Sequence, residues 1–332
     1  MDKTAAQAEL LINRLVKRHR HLKKWARRTG TNAYRLYDRD IPEIPLVLDL
    51  YDDAVSGALY KRPYEKDEGE EEAWLGAMRE AAAQALEIPQ QHIFLKERQR
   101  MRNRQETGKQ YGKFSGAAFY RDVREGDLLF RVNLSGYLDT GLFLDARKKR
   151  ALIRKEAPGK RVLNLFSYTC SLSVAAAKGS AARVDSVDLS KTYLDWGKVN
   201  FALNGIKEQS EFEFIHADVI RFVKEAAIRK TRWDIIILDS PGFSNSKRMQ
   251  SSLDLRRDHR ELIRRCLLLL SPGGKLWFSS SAKGLELAAD DFPGYIINDM
   301  GKDLEDEDFR GKRMPLCRTF TGSHLCGTLT HK

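Results

Sequence analysis

Between residues 160 and 247, four short apolar runs each carry an acid or an amide at the end, and this register constrains the fold more than anything else in the chain. The first is Arg161-Val-Leu-Asn-Leu-Phe166, followed by the small polar residues 167–171 and then by Leu172 to Gly179, a helical pattern. Strand, polar turn and helix make the first unit of a doubly wound α/β domain. About twenty residues on, Arg183 to Asp188 predicts a second strand ending in a carboxylate. Phe214 to Asp218 predicts a third, and Trp233 to Leu238 a fourth that runs into Asp239. Asn164, Asp188, Asp218 and Asp239 should therefore lie at the carboxyl ends of neighbouring parallel strands, the edge where open α/β sheets bind ligands.

Each acid alone reads first as a helix N-cap rather than a ligand, since Asp is a favoured N-cap. Together, and with neither a Gly-x-Gly-x-x-Gly fingerprint nor a phosphate loop, they point away from dinucleotides and nucleoside triphosphates. They suit a nucleoside that carries no phosphate, and S-adenosylmethionine is the expected one. The 58 Lys and Arg against 46 Asp and Glu, a formal charge of +12, suit a polyanionic partner. Cys170, Cys266, Cys317 and Cys326 show no C-x-x-C pair, so neither a zinc site nor a disulfide framework is indicated. The first residues lack the apolar core of a signal peptide, and no run approaches a membrane span. A cytoplasmic protein is expected.

Residues 1–33 read as a basic helix. Leu10, Leu11, Leu15, Leu22 and Trp25 form an imperfect apolar stripe, and nine Lys and Arg face only Asp2 and Glu9. Residues 34–128 read as a small α+β domain that binds RNA. Within it, Leu46 to Tyr51 and Ala54 to Tyr60 could pair as a hairpin, an Ala-rich helix follows an acidic run, and His92 to Lys96 is another strand. The following loop crowds Arg98, Arg100, Arg102 and Arg104 near Tyr111, a set suited to phosphate forks and base stacking. Residues 129–332 then hold the doubly wound domain. A helix beginning near Lys148, a long helix over 253–270, a fifth strand at Lys275 to Ser279 and a last strand at Leu325 to Thr330 complete it.

Several segments together resemble the bacterial 23S rRNA methyltransferases that pair a small α+β domain with a Rossmann-like class I methyltransferase domain. These are Tyr34 to Glu43, Leu95 to Tyr111, Tyr137 to Arg147, Asn164 to Thr169, Val187 to Trp196 and Phe243 to Met249. The similarity is strongest to the guanine-N7 branch, which in some bacteria is the C-terminal half of a larger fused enzyme. That resemblance implies a seven-stranded, mostly parallel sheet. It places Asn164, Phe166 and Thr169 around the methionine part of the cofactor, Asp188 on the ribose and Asp218 on the adenine amino group. Asp239, Ser240, Pro241 and Phe243 would form the wall between cofactor and target base, with Asn245 and Lys247 near the base edge. Thr140, Phe143, Asp145 and Arg147 would close the cofactor pocket. The family's glycine is Cys170 here, its Asp-Pro-Pro is Asp239-Ser-Pro241, Gly242 replaces a Thr or Lys, and Ser279-Ser-Ser281 replaces an asparagine-rich segment.

The same architecture also makes 5-methylcytosine, which requires a thiolate to add to C6. Ser280 stands where that branch has its cysteine. Guanine N7 is a lone-pair nucleophile with no proton to lose, so positioning suffices. The expected activity is methyl transfer to a guanine N7 in 23S rRNA or a large-subunit precursor. The alternatives are another rRNA atom, such as cytosine C5, or a non-catalytic RNA-binding assembly factor.

Overall fold

The computed structural model of the chain describes residues 2–60, 67–98, 118–207, 209–244 and 253–322. Contacts divide it into two compact units. One is residues 1–144 with 307–310, and the other is 145–306 with 311–332. Among the described residues, no helix is long and apolar enough to cross a membrane.

The first unit opens with α1 (Lys3–Thr29), capped by the Asp2 side chain and closed by Gly30 in the left-handed region, φ +72°. Its stripe Leu11, Leu15, Leu22 and Trp25 is buried. The basic residues share the remaining faces. Arg14 pairs with Asp40, while Lys17, Arg20, Lys23, Lys24, Arg27 and Arg28 are exposed. Strands β1 (Ala33–Asp38), β2 (Leu46–Tyr51) and β3 (Ala54–Tyr60) form an antiparallel meander. Helix α2 (Glu68–Leu86) then crosses over to β4 (Ile93–Arg98), which pairs parallel with β3. Helices and sheet share one core, in which the Trp74 indole donates to Gln7 Oε1 at 2.7 Å. A hairpin of β5 (Tyr120–Glu125) and β6 (Leu128–Asn133) follows. The segment 307–310 belongs here because buried Asp308 accepts the Arg35 backbone N–H at 3.0 Å.

The second unit alternates helix and strand: α3 (Arg147–Glu156), β7 (Arg161–Leu165), α4 (Ser171–Lys178), β8 (Arg183–Asp188), α5 (Lys191–Leu203), β9 (Phe212–His216), α6 (Val219–Ile228) and β10 (Trp233–Asp239). The short pair β11 (Phe243–Ser244) and β12 (Leu253–Asp254) precedes α7 (Leu255–Leu267), β13 (Leu270–Ser280), β14 (Tyr295–Asp299), α8 (Gly301–Leu304) and β15 (Leu316–Gly322). The sheet runs β14-β15-β13-β10-β7-β8-β9. Strands β13, β10, β7, β8 and β9 are mutually parallel, and β15 pairs antiparallel with both β13 and β14. This is the expected seven-stranded, mostly parallel sheet. The apolar runs are continuous because both faces are covered. Ile236 and Leu238 pack with Val223, Leu262 and Ile263 on one side. Ile235 and Ile237 pack with Ile153, Leu172 and Ala176 on the other. The expected long helix over 253–270 is shorter, because its ends join strands: Leu253 and Asp254 pair with β11, and Leu270 opens β13. The last strand expected at 325–330 lies outside the described residues.

The loop between β7 and α4 alternates left-handed residues, with Phe166, Tyr168 and Cys170 at φ +56°, +50° and +61°. A side chain in this region costs roughly 1–2 kcal/mol per residue. Cys170, at the position where glycine was expected, is fully buried. Gly197 of α5 accommodates it, since a Cβ there would lie 2.5 Å from Cys170 Sγ. Gly197→Ala in an ordinary helix would gain about 1 kcal/mol, but here it should destabilise. Cys170→Gly should reverse the loss, with a coupling energy of about 1–3 kcal/mol read from urea midpoints of the four proteins. Strictly additive effects would contradict this packing.

Candidate active site

The parallel ladder fixes where the candidate residues fall. Asn164 on β7 sits between Ile237 of β10 and Ser186 of β8, Asp188 ends β8 opposite His216, and Asp239 ends β10 opposite Ser279 of β13. Asp218 follows β9 and opens α6. With neighbouring strands about 4.8 Å apart, the four positions span one edge long enough for a nucleoside bearing an amino-acid side chain.

Asp188 ties two loops to this edge. Its Oδ2 accepts the Tyr168 N–H at 2.9 Å and its Oδ1 the Ser190 N–H at 2.8 Å. Burial raises its pKa above the usual carboxylate value, and the backbone donors at Ser190, Tyr168 and Leu189 only partly offset this. Asp218 is an N-cap, and its Oδ1 accepts from the N–H groups of Ile220 and Arg221 at 2.8 and 3.2 Å. The carboxylate lone pairs beyond these bonds can serve a ligand. Asn164 is buried and donates to Ser173 Oγ at 2.8 Å, while its buried Oδ1 has no hydrogen-bond partner. Thr169, in the loop after β7, is buried, its carbonyl accepting from Asn200 Nδ2 at 2.9 Å, and Phe166 is half-buried.

Asp239 is held by two side chains. Lys149 Nζ donates to its Oδ2 at 2.9 Å, and Ser279 Oγ donates to its Oδ1 at 2.6 Å. Lys149 also donates to Ser279 Oγ at 2.9 Å, closing a three-membered cluster. Burial opposes the charge on Lys149, but the Asp239 carboxylate together with Cys317 and Asp145 outweighs it, and the lysine pKa is raised. The segment after Asp239 is tied down as well. The Ser240 N–H donates to the Ser279 carbonyl at 3.0 Å, the Gly242 carbonyl accepts from Leu255 N–H at 3.1 Å, and Phe243 pairs with Asp254. Ser240 is buried, whereas Pro241, Gly242 and Phe243 are half-buried. A Cβ on Gly242 would lie 3.2 Å from that of Ala282, so this residue lets the loop approach its neighbour closely.

The chemistry open to this site follows from those groups. Burial pushes the thiols of Cys170 and Cys266 up to about 12 and that of Cys317 up to about 11. All three are protonated near neutrality and closed to solvent, so among the described residues there is no thiolate. Ser280 is buried, and its Oγ accepts the Ala282 N–H at 3.1 Å.

The comparisons decide the family. The model of the S-adenosylmethionine-dependent methyltransferases matches residues 41–288. This chain belongs to the S-adenosylmethionine-dependent methyltransferases. This methyltransferase is 42% identical to the ribosomal RNA large subunit methyltransferase K of Neisseria meningitidis serogroup B, over 96% of this chain and 86% of that one. It is 41% identical to the ribosomal RNA large subunit methyltransferase K/L of Pseudomonas aeruginosa over 91% of its length, but spans only 40% of that longer relative. Among solved structures, the methyltransferase SMU.776 complexed with SAH is 25% identical with a TM-score of 0.71, over 95% of this chain and 81% of that one. A methyltransferase from Streptococcus mutans, 24% identical with a TM-score of 0.69, shares the fold over the same spans.

The residues at the edge fit S-adenosylmethionine. A buried carbonyl oxygen without a donor at Asn164 and the carboxylates of Asp188 and Asp218 are acceptors for the hydroxyl, amine and ammonium donors of such a ligand. The structure therefore gathers Asn164, Phe166, Thr169, Asp188, Asp218 and Asp239 at one edge of the second unit. Asp145 and Arg147 lie at the start of α3 in that unit, with buried Arg147 pairing with Asp306 at 3.0 Å. Thr140 and Phe143 belong to the first unit. The Thr140 hydroxyl lies 2.8 Å from the Tyr51 hydroxyl, and Phe143 is exposed. Arg98 ends β4, while Arg100, Arg102, Arg104, Tyr111, Asn245 and Lys247 lie outside the described residues. Sequence reasoning missed Lys149 and Ser279. The available signal was the spacing of Lys149 to Ile153, i to i+4 on one helix face, with Ile153 in the core.

Asp239→Asn should strand the Lys149 ammonium in the interior and cost about 3–5 kcal/mol, whereas adding Lys149→Met should recover most of the loss. Chemical denaturation of both variants measures this. A double variant no more stable than Asp239→Asn would show that the cluster is not a compensated pair.

Proposed function

We propose that this methyltransferase transfers a methyl group from S-adenosylmethionine to N7 of a guanine in 23S rRNA, on a large-subunit precursor in the cytoplasm. The observation that carries this reading is the occupied state of Asp239. Both of its oxygens already receive internal donors, so it is poorly placed to abstract a proton, and guanine N7 has none to give up. The cofactor, when bound, supplies a sulfonium-activated methyl group. What the chain supplies is position: a guanine held in line with that methyl, with water excluded.

In this reading Asn164, Phe166 and Thr169 surround the methionine part, Asp188 takes the ribose hydroxyls and Asp218 the adenine amine. Thr140, Phe143, Asp145 and Arg147 close the pocket. Phe243 stacks on the extruded base, Pro241 shapes its pocket, and Ser240, Asn245 and Lys247 face its edge. Extruding a base costs a few kcal/mol, which stacking on Phe243 offsets in part. The domain of residues 34–128, with Arg98, Arg100, Arg102, Arg104 and Tyr111, grips the RNA backbone and unpaired bases, and residues 129–332 carry out the transfer. Support comes from the basic composition and from the relatives, whose names describe methylation of large-subunit ribosomal RNA. Cytosine C5 fits less well, since the three described cysteines are buried thiols.

Mass spectrometry of 23S rRNA from a strain lacking the protein should show the loss of one 7-methylguanosine, restored by the purified enzyme. An unchanged methylation map would overturn the proposal, and a stable adduct with 5-fluorocytidine RNA would indicate cytosine C5 instead. Phe243→Ala should lower kcat/KM for the RNA by roughly 5- to 150-fold, the equivalent of one stacked base at about 1–3 kcal/mol.

A further inference from the structure

The second unit contains a cleft of ≈ 380 Å³ that the cofactor and target-base roles above leave unused. One wall is the last rung of the β13–β15 ladder, where Ser280 pairs with Leu316. The rung before it pairs Ser279 with Cys317, and Ser279 is the serine that donates to Asp239. A second wall residue, Ala282, is the one that Gly242 approaches so closely. The cleft thus backs onto the 239–243 loop, on the side of the sheet edge away from β7, β8 and β9.

Its charge is unbalanced. Lys302, Lys312, Arg313 and Arg318 line it against Asp299 and Glu305. Both acids are engaged within the protein. Asp299 pairs with Arg318 at 2.5 Å and accepts the Gly301 N–H at 2.8 Å, and Glu305 Oε1 accepts the Gly311 N–H at 2.9 Å. Lys302 and Arg313 are exposed, and among the described residues neither has an acidic partner. A concave site with two uncompensated cations on its rim and Leu285 and Met314 in its lining matches a nucleotide: an anionic phosphate with an apolar base face.

We infer that this cleft binds the nucleotide next to the target guanosine on the same RNA strand, with Lys302 and Arg313 taking its phosphate. The inference rests on the RNA-substrate reading above and deepens it. It makes the β13–β15 side of the sheet edge the path of the strand that flanks the flipped base. A duplex would not enter a hollow of this size, so the flanking nucleotide is held unpaired.

The test is fluorescence anisotropy of the full chain, saturated with S-adenosylhomocysteine, on a labelled single-stranded 12-nucleotide RNA over a range of salt. Lys302→Ala/Arg313→Ala should reduce the slope of log K against log salt by about 0.7, the value for one phosphate contact on a single strand. Calorimetric affinity for S-adenosylhomocysteine should be unchanged. Lys224→Glu, an exposed change on α6, controls for net charge and should leave more of the slope intact than the double variant. An unchanged slope in the double variant, an equal loss in the Lys224→Glu control, or no RNA binding by the wild-type chain would each overturn the cleft assignment. If the slope falls as expected but the wild-type enzyme forms no 7-methylguanosine on rRNA, the cleft stands as an RNA site and the N7 reading fails. If 7-methylguanosine forms while the slope is unchanged, the reverse holds.

Discussion

The parallel hydrogen-bond ladder that joins β9, β8, β7, β10 and β13 is the constraint on which everything else depends. It places residues from five separated stretches of chain on one sheet edge in a fixed order, and its rungs set which side chains are neighbours. Parallel strands need crossovers, and the crossover helices cover both faces, which is why β10 carries the continuous apolar stretch Ile235 to Leu238. An acid inside a strand needs a partner, as Asp185 has in the Trp233 indole and Arg183, and the remaining acids fall at the strand ends. The acids are thus at the edge as a consequence of burial, before any ligand is considered.

Two local compensations hold that edge in shape. Three left-handed residues bend the chain after β7, and α5 offers a glycine where the third of them, Cys170, needs room. At the end of β10, a buried lysine neutralises Asp239 and joins it to β13 through Ser279. The first device shapes the hollow where a nucleoside would lie, and the second fixes the loop beside it. Neither contributes a proton acceptor or a nucleophile, and this suits a reaction governed by placement.

What could be read in the sequence follows the range of the interactions involved. Strands β7, β8 and β10 were legible because a short run that ends in an acid or amide is a local pattern, and the hairpin of β2 and β3 was legible because a short turn separates its two halves. The role of Asp218 was ambiguous by nature, since capping α6 and binding a ligand call for the same residue. Lys149 and Asp239 are ninety residues apart in the chain, and no local pattern pairs them. Cys170 and Gly197 are coupled only because α4 and α5 meet beside the sheet. The swapped order of β14 and β15 at the edge is likewise set by pairing with β13, which composition does not encode. The first helix reads as a charge run, yet Leu11, Leu15 and Leu22 belong to the core of the first unit, while Leu10 of the expected stripe is exposed.

The central claim is that a phosphate-free nucleoside lies along this edge with its ribose on Asp188. Isothermal calorimetry of S-adenosylhomocysteine binding to the wild-type chain and to Asp188→Ala, on protein with unchanged circular dichroism, tests it most directly. Loss of hydrogen bonds to a charged acceptor should weaken binding by roughly 10- to 150-fold, equivalent to about 1.5–3 kcal/mol. Equal affinities for the two proteins would mean that the nucleoside sits elsewhere.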